Sequence, residues 1–160
     1  QAGRYAGSLG AYLPFATAGQ LAADTGFMAL QQRYHQILHA QKQTLKAELD
    51  LVDSDFIPLP IPFRFDGYAA VALTPGSVNM LVVTKPGKKA DLIIPKPFGP
   101  VVGASGSQSE FEKVTEAAFA SNSDVTVHFV DCFLTYHMLY GEIHCGTNSK
   151  RTPPTRKWWQ

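Results

Sequence analysis

Apolar residues recur every three or four positions along residues 25–51, with Gln, Lys and Glu side chains between them. This spacing predicts one long amphipathic helix, for which Asp24 or Thr25 is the N-cap. In residues 58–62 every second residue is proline, which ends the helical pattern and favours extended chain. Residues 1–19 are rich in Gly and Ala and follow no sustained period, so we interpret them as linker-like.

Short apolar runs follow the prolines and alternate with turn residues. Four of them predict strands, at residues 68–73, 80–84, 92–94 and 124–130. A helix is predicted over residues 110–120, with Ser107 or Ser109 as its N-cap, and residues 137–145 are predicted to form a turn and a short strand. The order of three strands, a helix and a strand indicates an α/β unit over residues 56–160, preceded by the long helix.

Composition excludes several classes of partner. The 160 residues carry a net charge of +1 and no basic block, so the sequence predicts no nucleic-acid partner. It contains no apolar run of about 18 residues, the length that a membrane span needs, and no membrane association is predicted. The chain opens on Gln1 and shows no recognisable signal peptide, which leads us to expect a processed product or a segment of a longer polypeptide.

The two cysteines stand in different surroundings. Cys132 follows an apolar run and is predicted to be a buried or strand-end thiol, although a Cys132–Cys145 bridge stays open on cysteine count alone. Cys145 lies between His144 and Gly146, where a small neighbour lets a substrate approach the sulfur. Because the thiolate is the nucleophilic form of cysteine, this segment is the candidate catalytic centre.

Longer strings, one of which contains Cys145, strengthen that interpretation. Residues 141–148 read G-E-I-H-C-G-T-N, residues 94–100 read I-P-K-P-F-G-P, residues 78–82 read V-N-M-L-V, and residues 157–159 read K-W-W. In this order the strings resemble the C-terminal part of the protein-arginine deiminases, over roughly residues 27–159.

The resemblance implies a calcium-dependent enzyme that converts peptidyl arginine in protein substrates to peptidyl citrulline. It implies a five-bladed α/β propeller, the pentein fold, in which this chain supplies the last blade and the helix before it. By the same resemblance, Cys145 is the nucleophile and forms a covalent thiouronium intermediate. A cytoplasmic location is implied as well, while the sequence leaves secretion open.

One part of the family pattern is missing from this sequence. The family's G-H-V-D-E motif and a further Asp, both upstream, hold the guanidinium group and transfer protons, and neither occurs here. The family's calcium ligands also lie mainly upstream, so no metal ligand is assigned in this chain. We therefore expect full activity to need an upstream segment, or a second chain that carries it. A lone blade would expose apolar faces, so self-association is a further expectation.

Three residues near the thiol are candidate substrate-binding residues: Leu139, His144 and Gly146. Leu139 stands where some deiminases carry an arginine that contacts the substrate backbone. Gly146 is expected to permit close approach of the substrate. His144 is expected to face away from Cys145, because neighbours on a strand point to opposite faces of the sheet.

The remaining polar candidates have simpler structural explanations. We interpret His137 as a packing histidine, Asp131 as a turn cap and Asn79 as an ordinary loop residue, rather than as catalytic groups. His35 and His39 have the i, i+4 spacing of a two-histidine metal site. They lack a nearby third ligand in the sequence and are interpreted as part of a solvated helix face.

Two other functions remain open. The chain is a folded fragment without catalysis that binds partners or has a structural role, or it belongs to an enzyme that acts on free arginine or agmatine. The strings K-P-F-G-P and H-C-G-T-N favour the peptidyl class over the small-molecule class. Labelling of Cys145 by an arginine-like amidine reagent separates an enzyme from a binding module.

Overall fold

The computed structural model describes residues 16–103 and 108–148, together with the backbone of Arg4–Tyr5. Its elements in chain order are β1 (Arg4–Tyr5), α1 (Ala18–Ala23), α2 (Thr25–Leu49), β2 (Phe63–Phe65), β3 (Ala70–Ala72), β4 (Leu81–Val83), β5 (Ala90–Pro95), β6 (Pro100–Val101), α3 (Glu110–Phe119) and β7 (Val125–Val130). Helices and small sheets are mixed, as predicted for an α/β chain. In the described ranges, no helix is long and apolar enough to cross a lipid bilayer.

The long helix α2 follows the predicted amphipathic pattern. Oδ1 of Asp24 accepts a hydrogen bond from the N–H of Phe27 at 2.9 Å, which confirms Asp24 among the two predicted N-caps. The helix ends at Leu49, and Asp50 leaves it in the left-handed conformation. No residue of α2 is buried, so its apolar stripe packs against little of the described structure.

The predicted linker over residues 1–19 contains regular structure where it is described. β1 pairs with β6 in antiparallel register, and α1 begins at Ala18. The helix starts there because Thr17 and Gln20 form a capping box, in which each side chain accepts a hydrogen bond from the backbone of the other. Residues 6–15 lie outside the described residues.

The central sheet has three strands, with β5 between an antiparallel β4 and a parallel β7. Leu92 and Ile94 of β5 pair with Val127 and Phe129 of β7, and both β5 side chains are buried. Along β7, half-buried and exposed residues alternate, as its β-branched pattern predicts. A parallel pair needs a long crossover, and the chain supplies α3 between β5 and β7.

β2 and β3 form a separate antiparallel hairpin, of which the sequence pattern predicts only β3. The prolines before β2 and the charged Arg64 within it hide the strand signal. The side chain of Gln31 on α2 holds the hairpin. Its Oε1 accepts from the N–H of Phe63 at 2.8 Å, and its Nε2 donates to the C=O of Phe63 at 2.7 Å.

The helix α3 begins at Glu110, as predicted. Oγ of Ser109 accepts from the N–H of Glu112 at 3.2 Å, and the Glu112 carboxylate accepts from the N–H of Ser109 at 2.8 Å. This capping box confirms Ser109 as the N-cap, and the alternative, Ser107, lies outside the described residues.

The loop after β5 packs into the core beside the candidate site. Phe98 is 1% exposed and meets the ring of Phe133 edge-on, with 5.9 Å between ring centroids. A β-carbon at Gly99 would lie 2.8 Å from Cβ of Phe111, so only glycine lets α3 approach this closely. Phe133 therefore connects the core to the segment that leads to Cys145.

The short strand predicted within residues 137–145 is wrong. His137–Leu139 form a 3-10 helix, and the N–H of Gly146 donates to the carbonyl groups of Glu142 and Ile143, both at 3.1 Å. Because these backbone groups bond inside the segment, they do not pair with a neighbouring strand. The expectation that His144 faces away from Cys145 assumed a strand, so that argument does not apply.

Candidate active site

Cys145 lies in a turn over residues 143–146 and is exposed. Its Sγ accepts a hydrogen bond from Nδ2 of Asn79, 3.2 Å away. A hydrogen bond donated to a thiolate stabilises the charged form. The contact places such a donor on Sγ of Cys145.

Asn79 belongs to the turn between β3 and β4 and reaches Cys145 with both side chain and backbone. Its N–H donates to the C=O of Gly76 at 3.0 Å, which closes its own turn. Its C=O accepts from the N–H of His144 at 3.3 Å. Two consecutive residues of the Cys145 turn are thus held by Asn79, a role that its interpretation as an ordinary loop residue does not include.

Glu142 fixes the other end of the Cys145 turn. Its side chain is 12% exposed, and its Oε1 accepts from the N–H of Gly76 at 3.1 Å and contacts Nδ1 of His137 at 2.8 Å. Its Oε2 accepts from Sγ of Cys132 at 3.4 Å. A carboxylate can only accept hydrogen bonds, which assigns the proton of the His137 contact to Nδ1.

His137 supports Glu142 from the core side. Its side chain is 12% exposed, and its ring lies 5.2 Å from the ring of Phe133, centroid to centroid. Phe133 in turn contacts Phe98. The interpretation of His137 as a packing histidine with a satisfied hydrogen bond is confirmed.

Cys132 is 2% exposed, which confirms the predicted buried thiol. Its burial, above all, raises its pKa to about 12, and the hydrogen bond to Glu142 and the charge of that carboxylate act in the same direction. Cys132 and Cys145 are both free thiols, so the bridge left open by the sequence does not form.

The two cysteines should therefore differ sharply in reactivity, because only the exposed thiolate is accessible and nucleophilic. At pH 8 a thiol with a pKa of about 12 is ionised in about one molecule in ten thousand. We expect iodoacetamide to alkylate Cys145 at least about 100-fold faster than Cys132 in the folded protein. The rate at Cys132 should rise about tenfold with each pH unit between pH 8 and 11, as its thiolate fraction grows.

Peptide mass spectrometry of samples quenched at several times and pH values measures both rates. Labelling in urea is the control, because unfolding exposes Cys132 and should remove the difference. Equal rates in the folded protein would contradict the buried, protonated state of Cys132.

Gly146 follows the thiol and packs against the ring of Tyr136. A β-carbon at this position would lie 2.6 Å from Cζ of Tyr136, well inside the usual contact distance of two carbon atoms. The backbone of Tyr136 is held in turn, because its N–H donates to the C=O of Cys132 at 2.9 Å. A side chain at position 146 would therefore displace the Tyr136 ring from its present position, while the close approach of a substrate stays a prediction.

The other predicted residues fall into two groups. Leu139, 77% exposed, and His144 both lie at exposed positions, and their substrate-binding roles stay predictions. Asp131 follows β7 directly, and its Oδ1 accepts from the N–H of Phe133 at 3.0 Å. This contact confirms Asp131 as a turn cap.

His35 and His39 lie on the exposed surface of α2, with 6.4 Å between their ring centroids. Among the described residues, no group of three or more His, Cys, Asp or Glu side chains is arranged to hold a metal ion. The two histidines are thus solvated, with a contact of 3.4 Å between Nε2 of His39 and Nε2 of Gln43.

The family model described as "Protein-arginine deiminase (PAD)" matches residues 12–160. The chain belongs to the protein-arginine deiminase family. Among curated relatives, it is 44% identical over 118 residues to protein-arginine deiminase type-3 of Rattus norvegicus, covering 74% of this chain and 16% of that protein. It is 42% identical over 119 residues to type-4 of Homo sapiens, covering 74% of this chain and 17% of the relative.

A third deiminase, type-1 of Homo sapiens, is 41% identical over 130 residues, covering 76% of this chain and 18% of the relative. The chain therefore spans less than a fifth of the length of each of these deiminases. The match includes both turns that meet at Cys145. It does not by itself assign an activity to this segment of a deiminase.

Sequence reasoning missed Glu142, although it lies inside the string that carries the resemblance. One signal was available, because Glu142 is the only acidic residue after Asp131. A lone carboxylate between Gly141 and Ile143, close to a nucleophile, is a candidate for a specific contact. Its partners include Gly76, 66 residues away in sequence, and no spacing rule reports a contact of that kind.

Proposed function

We propose that, in the complete protein, this chain supplies the nucleophile for hydrolytic deimination of peptidyl arginine to peptidyl citrulline. The observation that carries the proposal is the Cys145 thiol, exposed in a turn and accepting a hydrogen bond from Asn79 at 3.2 Å. Membership of the deiminase family gives this thiol its substrate class, an arginine side chain within a protein.

The proposed reaction has two steps. The Cys145 thiolate attacks the central guanidinium carbon, a carbon–sulfur bond forms, and one carbon–nitrogen bond breaks as ammonia leaves with an added proton. Water then attacks the same carbon of the thiouronium intermediate, the carbon–sulfur bond breaks, and the thiolate is restored. The sum is guanidinium plus water giving a ureido group plus ammonium.

Groups outside the described residues complete this chemistry in our proposal. Proton transfer needs a general acid/base, and the guanidinium needs carboxylates that form paired hydrogen bonds. The side chains of His137 and Glu142 bond to each other, and Glu142 also bonds to Gly76, so the pair is already committed to holding the turn. We therefore assign these roles to an upstream segment, consistent with the small share of each relative that this chain covers.

We propose further that the chain forms the last blade of a five-bladed propeller. The three-stranded sheet of β4, β5 and β7 with α3 as a crossover has the mixed content that such a unit needs. The unburied α2 supports the idea, because its apolar side chains would pack against the neighbouring blade.

Calcium is part of the proposal through the family alone. Among the described residues, no group of three or more His, Cys, Asp or Glu side chains is arranged to hold a metal ion. We place the ligands in the upstream segment and derive no step of the reaction through the ion. The same placement leaves Cys145, Asn79 and Glu142 free of any direct metal contact.

The test is a turnover assay on the full-length protein with calcium. A peptide with one internal arginine should yield citrulline and ammonium in equal amounts, whereas the same peptide with lysine should yield neither. Free arginine and agmatine are assayed in parallel, and faster turnover of either would favour a small-molecule enzyme. No turnover, together with no labelling of Cys145 by an amidine reagent, would favour a binding or structural module.

A further inference from the structure

Glu142 occupies a position that a purely catalytic account of Cys145 does not explain. Its carboxylate is nearly buried, yet it accepts three contacts from three different parts of the chain: the N–H of Gly76, Nδ1 of His137 and Sγ of Cys132. A buried carboxylate is costly unless hydrogen bonds satisfy it. These three contacts therefore make Glu142 a fixed point of the loop that carries Cys145.

The contact with Gly76 gives Glu142 a path to the reactive sulfur. Gly76 accepts a hydrogen bond from the N–H of Asn79 and so shares a turn with it. Asn79 in turn contacts the Cys145 turn twice. Its Nδ2 donates a hydrogen bond to Sγ of Cys145, and its C=O accepts one from the N–H of His144. The two turns are thus joined twice, by Glu142 at one end and by Asn79 at the other.

The amide of Asn79 has little to orient it from its own side. Its Oδ1 is buried and has no hydrogen-bond partner among the described residues. The direction in which Nδ2 points therefore depends on where the backbone of the turn holds Asn79. That backbone is held against the Cys145 loop by the carboxylate of Glu142, through Gly76.

We propose that Glu142 is a positioning residue that acts through Asn79 to align the hydrogen bond onto Cys145 Sγ. The side-chain contact at Sγ of Cys145 comes from Asn79, whereas Glu142 sets the distance between the two turns through Gly76. The effect on turnover rests on the proposed deiminase function, whereas the effect on the thiol itself does not require any turnover.

A double-mutant cycle on the full-length protein tests this dependence, with the variants Glu142→Ala, Asn79→Ala and the pair. The readout is the iodoacetamide rate at Cys145, followed by peptide mass spectrometry, as a function of pH. Losing a hydrogen bond to a charged group typically costs about tenfold in such a rate, so each single variant should slow alkylation at pH 7 by about tenfold. The double variant should be alkylated no more slowly than either single variant.

The pH profile separates positioning from general loss of stability. All three variants should change the pH profile of alkylation in the same direction and by the same amount, because each removes the same donor from Sγ of Cys145. Glu142→Gln keeps an acceptor for Gly76 and His137 and should stay within about threefold of the wild-type rate. The control Glu48→Ala, an exposed carboxylate on α2, should leave rate and profile unchanged.

Each outcome decides between specific alternatives. Losses that multiply in the paired variant would overturn the proposal, because Glu142 and Asn79 would then act independently. If Glu142→Ala does not fold, the cycle is run with Glu142→Asp, whose shorter carboxylate cannot reach Gly76 from the same position, and losses that multiply with Asn79→Ala would again overturn the proposal. A non-additive cycle in a protein that makes no citrulline would support the positioning role and remove only the proposed function.

Discussion

Replacing Cys145 with serine in the full-length protein is expected to lower the turnover of a peptidyl-arginine substrate by at least about 10⁴-fold. The serine hydroxyl stays protonated at neutral pH, and the contact from Asn79, a hydrogen-bond donor, does not remove its proton. The protein should still fold, because Cys145 is exposed and contributes no core packing. Citrulline formed per unit time, against circular dichroism of the same sample, measures both effects.

The same substitution at the second cysteine is the matched control. Cys132→Ser keeps a hydroxyl that can donate to Glu142 and removes no exposed thiol. Its cost to turnover should stay below about tenfold, since only packing and one weak hydrogen bond change. Citrulline formation by Cys145→Ser at a rate close to wild type would refute the assignment of the nucleophile.

The isolated 160-residue chain is expected to lack a sharp cooperative unfolding transition and to bind hydrophobic dyes. The full-length protein, in contrast, should unfold cooperatively and should not bind these dyes. Leu38 and Leu45 on α2 are each 46% exposed, and Val82 and Val130 on the sheet are 45% and 42% exposed. Surfaces of this kind are normally covered by another part of the protein. A sharp thermal transition in a verified monomer of the isolated chain would contradict this expectation.

A double variant sharpens this second prediction, because it should improve the behaviour of the isolated chain and destabilise the full-length protein. Leu38→Gln with Leu45→Gln should make the isolated chain more soluble, since the apolar stripe is interrupted. The same change should destabilise the full-length protein by about 1.5–3 kcal/mol for each leucine that is buried there. Gln36→Lys, on an exposed position of the same helix, is the control and should change neither property markedly.

Local sequence patterns predicted most of the regular elements and failed where long-range contacts decide the structure. α2 and α3 followed from apolar spacing and caps, and both predicted caps that are described, Asp24 and Ser109, form the expected bonds. β2 was not predicted from the sequence, because it depends on hydrogen bonds between the side chain of Gln31, 32 residues earlier, and the backbone N–H and C=O of Phe63. No pattern within the strand itself carries that information.

The candidate site divides in the same way. Cys145 could be singled out as the candidate nucleophile from its own string, because the residues that carry the family resemblance are its neighbours. Asn79 and Glu142 could not be assigned their roles, because each acts across 66 residues of sequence, on Cys145 and on Gly76. The strand predicted around His144 is wrong for a related reason, since the turn that carries this residue depends on those distant contacts rather than on local strand propensity.

The close packing of Gly146 on Tyr136 links the substitutions that these two positions can accept. As long as the aromatic ring is in place, any residue other than glycine at position 146 meets the ring before it meets a substrate. A larger residue at position 146 therefore needs either a rotated Tyr136 ring or a smaller residue at position 136. Substitutions at the two positions are coupled in this way, and loss of the ring would open space next to Cys145 that a chain with tyrosine at position 136 does not have.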